Sequence, residues 1–258
     1  MTEPRVQSPE PRQRKIFFIL SSLCSVLCVL FLSLEVQAEP RVPEKFTYNI
    51  YWAGIRAGSA DLEVENTSEG VTITSRARSS EFISIFYKVE DLARSILYSN
   101  GFPSTYILKT REGRHRKDRE TLFDPKQEDQ PQEVIFKNKL DNTEVEFSFE
   151  KQAFDPLSGF YEIRKRDLET GRSEYLDIFD SKRLWNVEVK VLGKERIRVP
   201  AGEFDTIVIK PLLKSEGIFS KKGDIYIWLT DDEKRIPVMV KSKVKIGSFK
   251  AKLSKGNY

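Results

Sequence analysis

The sequence has few of the residues on which metal centres and nucleophilic active sites depend. Its 258 residues include two cysteines and one histidine. Cys24 and Cys28 lie in an N-terminal apolar segment, and His115 stands among charged residues in KTREGRHRKDRE. Zinc sites use cysteine and histidine ligands, and nucleophilic triads use histidine as the base. We therefore expect no metal site, no histidine-dependent nucleophile and no cofactor.

A strong net charge and a phosphate-binding loop are also missing. The formal net charge is +4 at pH 7, which is too weak to indicate a nucleic-acid partner. The stretch AGIRAG (53–58) has two glycines, but no strand-to-helix context follows it. The acidic triplet at 231–233 lacks the alternating, glycine-broken spacing of a calcium loop. These patterns indicate neither nucleotide nor nucleic-acid binding.

Paired carboxylates remain as a possible source of catalysis. Glycoside hydrolysis needs two carboxylates across a cleft, and their spacing is set by the fold rather than by the sequence. Asp61, Asp155 and Asp231 are candidates, but each also has a structural explanation. A glycan-active enzyme is therefore the least favoured of three functional hypotheses, and we expect the protein not to be an enzyme.

Residues 1–38 have the order of a secretory signal peptide. Basic residues precede an uncharged apolar run at 16–34, and Val36-Gln37-Ala38 supplies a cleavage site after Ala38. The run is also just long enough to span a bilayer, so an uncleaved membrane anchor is the alternative. The sequence predicts export to the periplasm or envelope. In the mature part, 39–258, no second apolar run is long enough to cross a membrane.

Alternation of apolar and polar residues dominates the mature part and predicts many short strands. The alternating apolar positions include Phe46, Tyr48, Ile50, Trp52, Val145, Phe147, Phe149, Trp185, Val187, Val189, Val191, Ile225, Ile227, Leu229, Val238 and Val240. Close strand spacing with turns rich in Gly, Pro, Asn and Asp is typical of antiparallel sheets. We predict a single, mainly β domain whose curved antiparallel sheet forms a barrel or half-barrel, covered or plugged by one or two helices.

Helical signals are scarce. Asp155-Pro156 predicts a helix start, with Asp155 as the N-cap, and Gly171 predicts its end. The segment 80–98 carries a helical stripe, but it also fits an extended strand, so the pattern leaves both alternatives open.

The stretch YNIYWAGIRAGSADLEV (48–64) predicts the first hairpin of the sheet. An odd loop at 53–57 would place Trp52 opposite Gly58 and Ile50 opposite Ala60. This register keeps the apolar side chains on one face, since a slip of one residue would turn them outward. Gly58 and Ala60 would then leave room for the larger side chains on the concave side of the sheet.

Three regions carry a resemblance to a known family. They are the stretch at 48–64, FDPLSGFYEIR (154–164), and the C-terminal set VPAGEFDTIVIKP (199–211), IYIWLTDDEKRIPVMVKS (225–242) and GSFKAKL (247–253). Together they resemble the exported bacterial family called domain of unknown function 3108. The motifs are mostly turns and core aromatics, so the resemblance implies a shared fold, a single exported antiparallel β domain. It implies no catalytic residues.

The first functional hypothesis is a non-enzymatic envelope protein that binds an apolar or amphipathic ligand, such as a lipid or a lipoprotein. The chain has 17 Phe, 9 Tyr and 3 Trp, and a curved sheet with a covering helix often encloses an apolar cavity. The predicted concave-face binding residues are Tyr48, Ile50, Trp52, Trp185 and Trp228.

The second hypothesis is a structural or scaffolding module that binds an envelope protein or an anionic glycan. Lys241, Lys243 and Lys245 alternate with apolar residues and would form a row on one strand face, able to meet an anionic surface. The alternative is a solvated row, or one paired across the sheet with Glu144, Glu146 and Glu150. The sequence leaves the oligomeric state open.

Overall fold

The computed structural model describes residues 42–212, 224–243 and 247–257. The predicted signal peptide and Lys245 lie outside the described residues. The described residues all belong to one compact unit. Most of the described chain is extended, which confirms the predicted mainly β class.

The described chain contains fourteen strands and two helices. The strands are β1 (Glu44–Trp52), β2 (Ile55–Thr67), β3 (Gly70–Ser79), β4 (Val89–Leu97), β5 (Pro103–Glu112), β6 (His115–Phe123), β7 (Gln132–Asn138), β8 (Thr143–Phe149), β9 (Ser173–Asp180), β10 (Arg183–Val199), β11 (Gly202–Leu212), β12 (Ile225–Thr230), β13 (Pro237–Lys243) and β14 (Ser248–Gly256). The helices are α1 (Glu81–Ser84), between β3 and β4, and α2 (Pro156–Lys165), between β8 and β9.

All fourteen strands form one antiparallel, curved sheet. Strands adjacent in sequence pair with each other, with the exception of β8 and β9, which α2 separates. In addition, the first strand, β1, pairs with the last, β14. β8 and β9 are the two outermost strands of this open sheet, and the segment before α2 lies beside β9. There the Phe154 amide donates to the Asp177 carbonyl at 2.9 Å, and the Phe179 amide donates to the Phe154 carbonyl at 2.8 Å. The predicted curved, barrel-like sheet with a covering helix is thus confirmed.

The core consists of three apolar clusters that share α2 and its flanks. One joins Phe46 of β1 to Leu253 of β14 and includes Tyr161 of α2. A second joins β9 to β12 and includes Ile163 of α2. A third lies between β5–β8 and Phe179 of β9, with Leu157 of α2 packed against it. The helix therefore plugs the space enclosed by the sheet.

The helix start is confirmed at Asp155. This buried carboxylate accepts hydrogen bonds from the Leu157 amide at 2.7 Å and the Ser158 amide at 3.1 Å. It also accepts from the hydroxyls of Ser95 at 2.6 Å and Ser158 at 2.8 Å. Burial raises the pKa of Asp155, although these four donors oppose that effect. The hydrogen bond to Ser95 joins the first turn of α2 to β4.

The predicted helix end at Gly171 is wrong. α2 ends at Lys165, and Arg166 has extended backbone with ψ of 154°. The extended backbone allows Leu168 to enter the second core cluster. Gly171 instead lies in the turn before β9, with a φ of +86°. Tertiary packing of Leu168 therefore overrides the helical spacing.

A buried ion pair fixes the other end of α2. Arg164 donates to both carboxylate oxygens of Glu44 at 2.8 Å, and the two side chains are 6% and 7% exposed. Arg164 also donates to the Arg235 carbonyl at 2.9 Å, and the Tyr161 hydroxyl donates to Glu44 at 3.2 Å. Burial alone would lower the pKa of Arg164, but the hydrogen bonds and charge of Glu44 raise it.

The segment 80–98 contains both of the alternatives that the sequence left open. Ser80 caps the short helix α1, and the chain then continues as β4. β4 forms backbone ladders with both β3 and β5, and these bonds favour the strand over a longer helix. The predicted helical stripe is not a buried face, because Phe82 and Phe86 are 66% and 77% exposed.

The first hairpin has a different register from the predicted one. Its loop is the two-residue turn Ala53-Gly54, with φ values of 48° and 91°, as a type I′ hairpin turn requires. Trp52 pairs with Ile55 and Ile50 pairs with Gly58, since a bulge follows in β2. Because of the extra residue in β2, the apolar side chains of β1 and β2 still lie on one face of the sheet, although their cross-strand partners differ from the predicted ones.

Gly58 serves a close approach of two strands rather than making room for Trp52. A Cβ atom at this position would overlap the Arg78 carbonyl of β3. We expect Gly58→Ala to lower the free energy of unfolding by about 1–3 kcal/mol, because the β2–β3 pairing must shift. Gly54→Asn is the control, because its position is open and Asn tolerates positive φ. Equal urea-unfolding midpoints for both variants would contradict this role.

Glu44→Gln should be strongly destabilising, because it leaves the Arg164 charge buried without its partner. We expect a loss of about 3–5 kcal/mol in the free energy of unfolding, measured by urea denaturation. Glu63→Gln is the matched control, since Glu63 pairs with Lys45 and Arg76 at the surface and should contribute less than about 1 kcal/mol. Similar losses in the two variants would show that the buried pair has no special role.

Candidate functional site

The face of β11–β14 opposite to the core carries an alternation of aromatic and basic side chains. Ile227 and Leu229 of β12 belong to or pack against the second core cluster, so Tyr226 and Trp228 point the other way. Tyr226 lies opposite Lys241 of β13, and Lys241 lies opposite Lys250 of β14. We call this surface the outer face.

A depression of about 470 Å³ lies on the outer face. The bulged part of β10 forms one side of it, and side chains of β11, β12 and β13 form the remainder. Its lining residues are Leu192, Gly193, Lys194, Glu195, Val208, Tyr226, Trp228, Lys241 and Lys243. The depression therefore combines apolar and aromatic surface with three ammonium groups and one carboxylate.

Two of the lysines lining the depression have no carboxylate within ion-pair distance in the part of the chain that the structure describes. They are Lys241 and Lys243. The Lys243 ammonium lies 5.7 Å from the centre of the Tyr226 ring. The pKa of the Asp224 carboxyl group is lowered mainly by its hydrogen bond from Lys210, at 3.0 Å. The nearby charge of Lys243 adds to this effect, although Lys243 is not within ion-pair distance. The positive charge of Lys241 and Lys243 is thus available to an anion.

The other two charged side chains at the depression, Lys194 and Glu195, have polar partners. Lys194 lies 2.7 Å from Asp231, and its hydrogen bond lowers the pKa of that carboxyl group. Glu195 accepts a hydrogen bond from the indole nitrogen of Trp228. This bond fixes the indole, which is only 8% exposed, as part of the floor of the depression.

The structure does not bring the five predicted ligand-binding residues together on the concave face. Tyr48 is buried in the first core cluster, and its hydroxyl donates to the Pro237 carbonyl at 2.8 Å. Ile50 lies between Ala251 and Gly58 on neighbouring strands. The concave surface at Tyr48 is used for packing, so these positions do not line an open interior site.

The three tryptophans lie at three separate places. Trp52 is 37% exposed at the end of β1 and stacks on Phe249, with ring centres 6.1 Å apart. Trp185 packs against the second core cluster, with the Arg183 guanidinium 4.2 Å from its ring centre. Trp228 lies on the outer face rather than the concave face. Of the predicted ligand-binding residues, only Trp228 lines the depression.

The predicted lysine row is partly described. Lys241 and Lys243 both line the depression, and Lys245 lies outside the described residues. For Lys241 and Lys243, the alternative pairing with Glu144, Glu146 and Glu150 is wrong. These glutamates lie in β8 or directly after it, whereas β13 lies between β12 and β14. Glu144 instead pairs with Lys137 at 3.2 Å.

Sequence reasoning missed Tyr226, Lys194 and Glu195. The alternation that placed Ile225, Ile227 and Leu229 on one face already implied that Tyr226 and Trp228 shared the other. No comparable signal predicts Lys194 and Glu195, because the bulge at Leu192 changes the register of β10 against β11.

The carboxylates considered for glycan hydrolysis are held by local partners. Asp61 accepts from the Thr47 hydroxyl at 2.9 Å, Asp155 caps α2, and Asp231 pairs with Lys194 and Arg235. His115 is exposed at the start of β6. Within ranges 42–212, 224–243 and 247–257, no three potential metal ligands form a group. No helix in these ranges has the length and apolar character needed to cross a membrane.

The solved structures that are similar to this chain include the following two. One is a β-barrel-like protein with the domain of unknown function DUF1849 from Brucella abortus, at 14% identity and a TM-score of 0.56. The similarity covers 83% of this chain and 97% of that one, and it supports a shared barrel-like fold. The other is a protein with a YmcC-like fold from Bacteroides fragilis, at 10% identity and a TM-score of 0.32, covering 83% and 95% of the two chains.

No curated protein matches the sequence. The model of a family described as "Protein of unknown function (DUF3108)" matches residues 47–254. This match extends from within β1 into β14, and so it includes all or most of every strand, both helices and the depression. The chain therefore belongs to the DUF3108 family.

Proposed function

We propose that the protein is a non-enzymatic envelope protein that binds an anionic amphipathic ligand, a phospholipid headgroup with its adjoining apolar part, in the outer-face depression. The observation that carries the proposal is the position of Lys241 and Lys243 beside the rings of Tyr226 and Trp228, with no ion-pair partner in the described chain. The export that this function needs comes from the predicted signal peptide at 1–38.

The chemistry of the depression suits a phosphate joined to an apolar group. Alternate residues of a strand are about 6.7 Å apart, so the flexible ammonium groups of Lys241 and Lys243 can reach one phosphate from two sides. Hydrogen bonds to charged groups are among the stronger polar contacts in proteins. Leu192, which is 45% exposed, offers apolar surface beside these charges, and the largely buried Val208 also lines the depression.

The packing of the interior also favours an outer site. α2 contributes to the clusters that fill the concave side, and the side chains of Phe46, Ile73, Ile207 and Leu253 are at most 1% exposed. An amphipathic ligand in this interior would have to displace α2 and break the Arg164–Glu44 pair. Binding at the outer face requires no such change.

The test is binding of dihexanoyl phosphatidylglycerol, kept below its micelle concentration, to the chain 39–258 by calorimetry. We expect Lys241→Gln/Lys243→Gln to weaken binding by about tenfold for each lysine, because each loses a charge-assisted contact. Dihexanoyl phosphatidylcholine, with no net charge, should bind more weakly than phosphatidylglycerol.

Lys137→Gln/Lys139→Gln is the matched control, with the same spacing and the same change in net charge. This variant should bind phosphatidylglycerol as the unaltered chain does. Equal losses in the two variants would contradict a specific site and indicate general charge attraction. Binding of polyuronate with no binding of phospholipid would instead favour the second hypothesis, a module that binds an anionic glycan.

A further inference from the structure

Several turns meet at the end of the sheet that contains Trp52. The Ser80 amide, just before α1, donates to the Ala57 carbonyl at 2.8 Å, which places α1 beside the β1–β2 turn. The Gly113 amide in the β5–β6 turn donates to the Lys88 carbonyl at 2.9 Å. These bonds join the three turns into one surface, which we call the turn end.

The turn end carries large apolar side chains that the fold does not bury. Phe82, Ile85 and Phe86 are 66%, 76% and 77% exposed, Tyr87 is 51% exposed, and Ile55 of the β1–β2 hairpin is 63% exposed. The rings of Phe82 and Phe86 contact each other edge to face, with centres 5.9 Å apart. A cluster of large exposed apolar groups is typical of an interaction surface, whereas single ones are common.

Basic side chains flank these apolar groups. Arg56 and Arg114 are exposed at two of the turns, and neither has an ion-pair partner among the residues that the structure describes. Lys88 lies four residues after the end of α1, and its ammonium group is 2.7 Å from Glu90. Arg116 donates to the carbonyls of Gly113, in the β5–β6 turn, and of His115, the first residue of β6.

The basic side chains at the turn end outnumber the nearby carboxylates, so the surface has an excess of positive charge. The nearby carboxylates are Glu81, Glu90 and Glu112. Glu90 is bound by both Lys88 and Arg111, the latter at 3.2 Å, and these contacts lower its pKa. The exposed arginines therefore remain the main charges beside the apolar groups.

We propose that the turn end docks onto the surface of an anionic lipid bilayer, with Phe82, Ile85 and Phe86 inserted among the acyl chains. These groups stand on a short, separate turn, and a fluid bilayer can close around such a protrusion without a preformed pocket. The flanking arginines lie where they can contact anionic headgroups, and Tyr87 has the amphipathic character of interfacial aromatic residues.

This inference does not depend on the ligand depression. Lys241 and Lys243 remain intact in the variants below, and the phosphatidylglycerol monomers used above do not require a bilayer. Failure of one proposal is therefore distinguishable from failure of the other.

The test is cosedimentation of the chain 39–258 with vesicles of phosphatidylethanolamine and phosphatidylglycerol. This chain omits the N-terminal apolar run, which could itself enter a bilayer, and it contains all three core clusters. We expect Phe82→Ser/Phe86→Ser to lower vesicle partitioning at least tenfold, because the apolar area that would enter the bilayer is removed. Arg56→Gln/Arg114→Gln should lower it about fivefold for each arginine.

Tyr175→Ser is the control, because Tyr175 is 54% exposed on β9, away from the turn end. It should partition as the unaltered chain does, and all variants should keep the same unfolding midpoint. Unchanged partitioning of the phenylalanine variant would overturn the proposal. A second result would also overturn it: the unaltered chain forms a dimer without lipid, the phenylalanine variant does not, and neither binds vesicles. The turn end would then be a self-association surface.

Discussion

The buried pair of Arg164 and Glu44 connects the elements that define the interior. Each charge is shielded from water, so each depends on the other and on the carbonyls and hydroxyl around them. The pair ties the last turn of α2 to the first residue of β1, and the Arg235 carbonyl adds the turn between β12 and β13. With its first turn bound to Ser95 of β4, α2 is held at both ends. The packed interior follows from this constraint, and we place binding chemistry on the outside for that reason.

The two proposed surfaces are neighbours in the fold. Lys243 pairs with Ser248, the next residue Phe249 stacks on Trp52, and Trp52 leads into the β1–β2 turn. A protein that rested on a bilayer by its turn end would therefore hold the depression close to the headgroups. Docking would position the protein, and the depression would bind an individual lipid, so the two surfaces can serve one process.

Much of the fold was predictable because alternation and turn residues report local geometry. Asp155-Pro156 marked the start of α2, and apolar alternation marked the strand faces. The end of α2 and the first hairpin register were not predictable, since they depend on Leu168 reaching the core and on the bulge in β2. For the site, the sequence identified Lys241, Lys243 and Trp228 as candidate binding residues, but it placed Trp228 on the wrong face of the sheet. The contribution of β10 depends on strand order and on a second bulge, neither of which has a local signal.

We propose that the ligand binds outside the packed interior that α2 plugs. Hydrogen–deuterium exchange of the chain 39–258, with and without dihexanoyl phosphatidylglycerol, tests it most directly. We expect added protection in β12 and β13, around Tyr226–Trp228 and Lys241–Lys243, with no change in α2. Protection or opening of α2 and β1, with β12 and β13 unchanged, would contradict the claim and place the ligand inside the sheet.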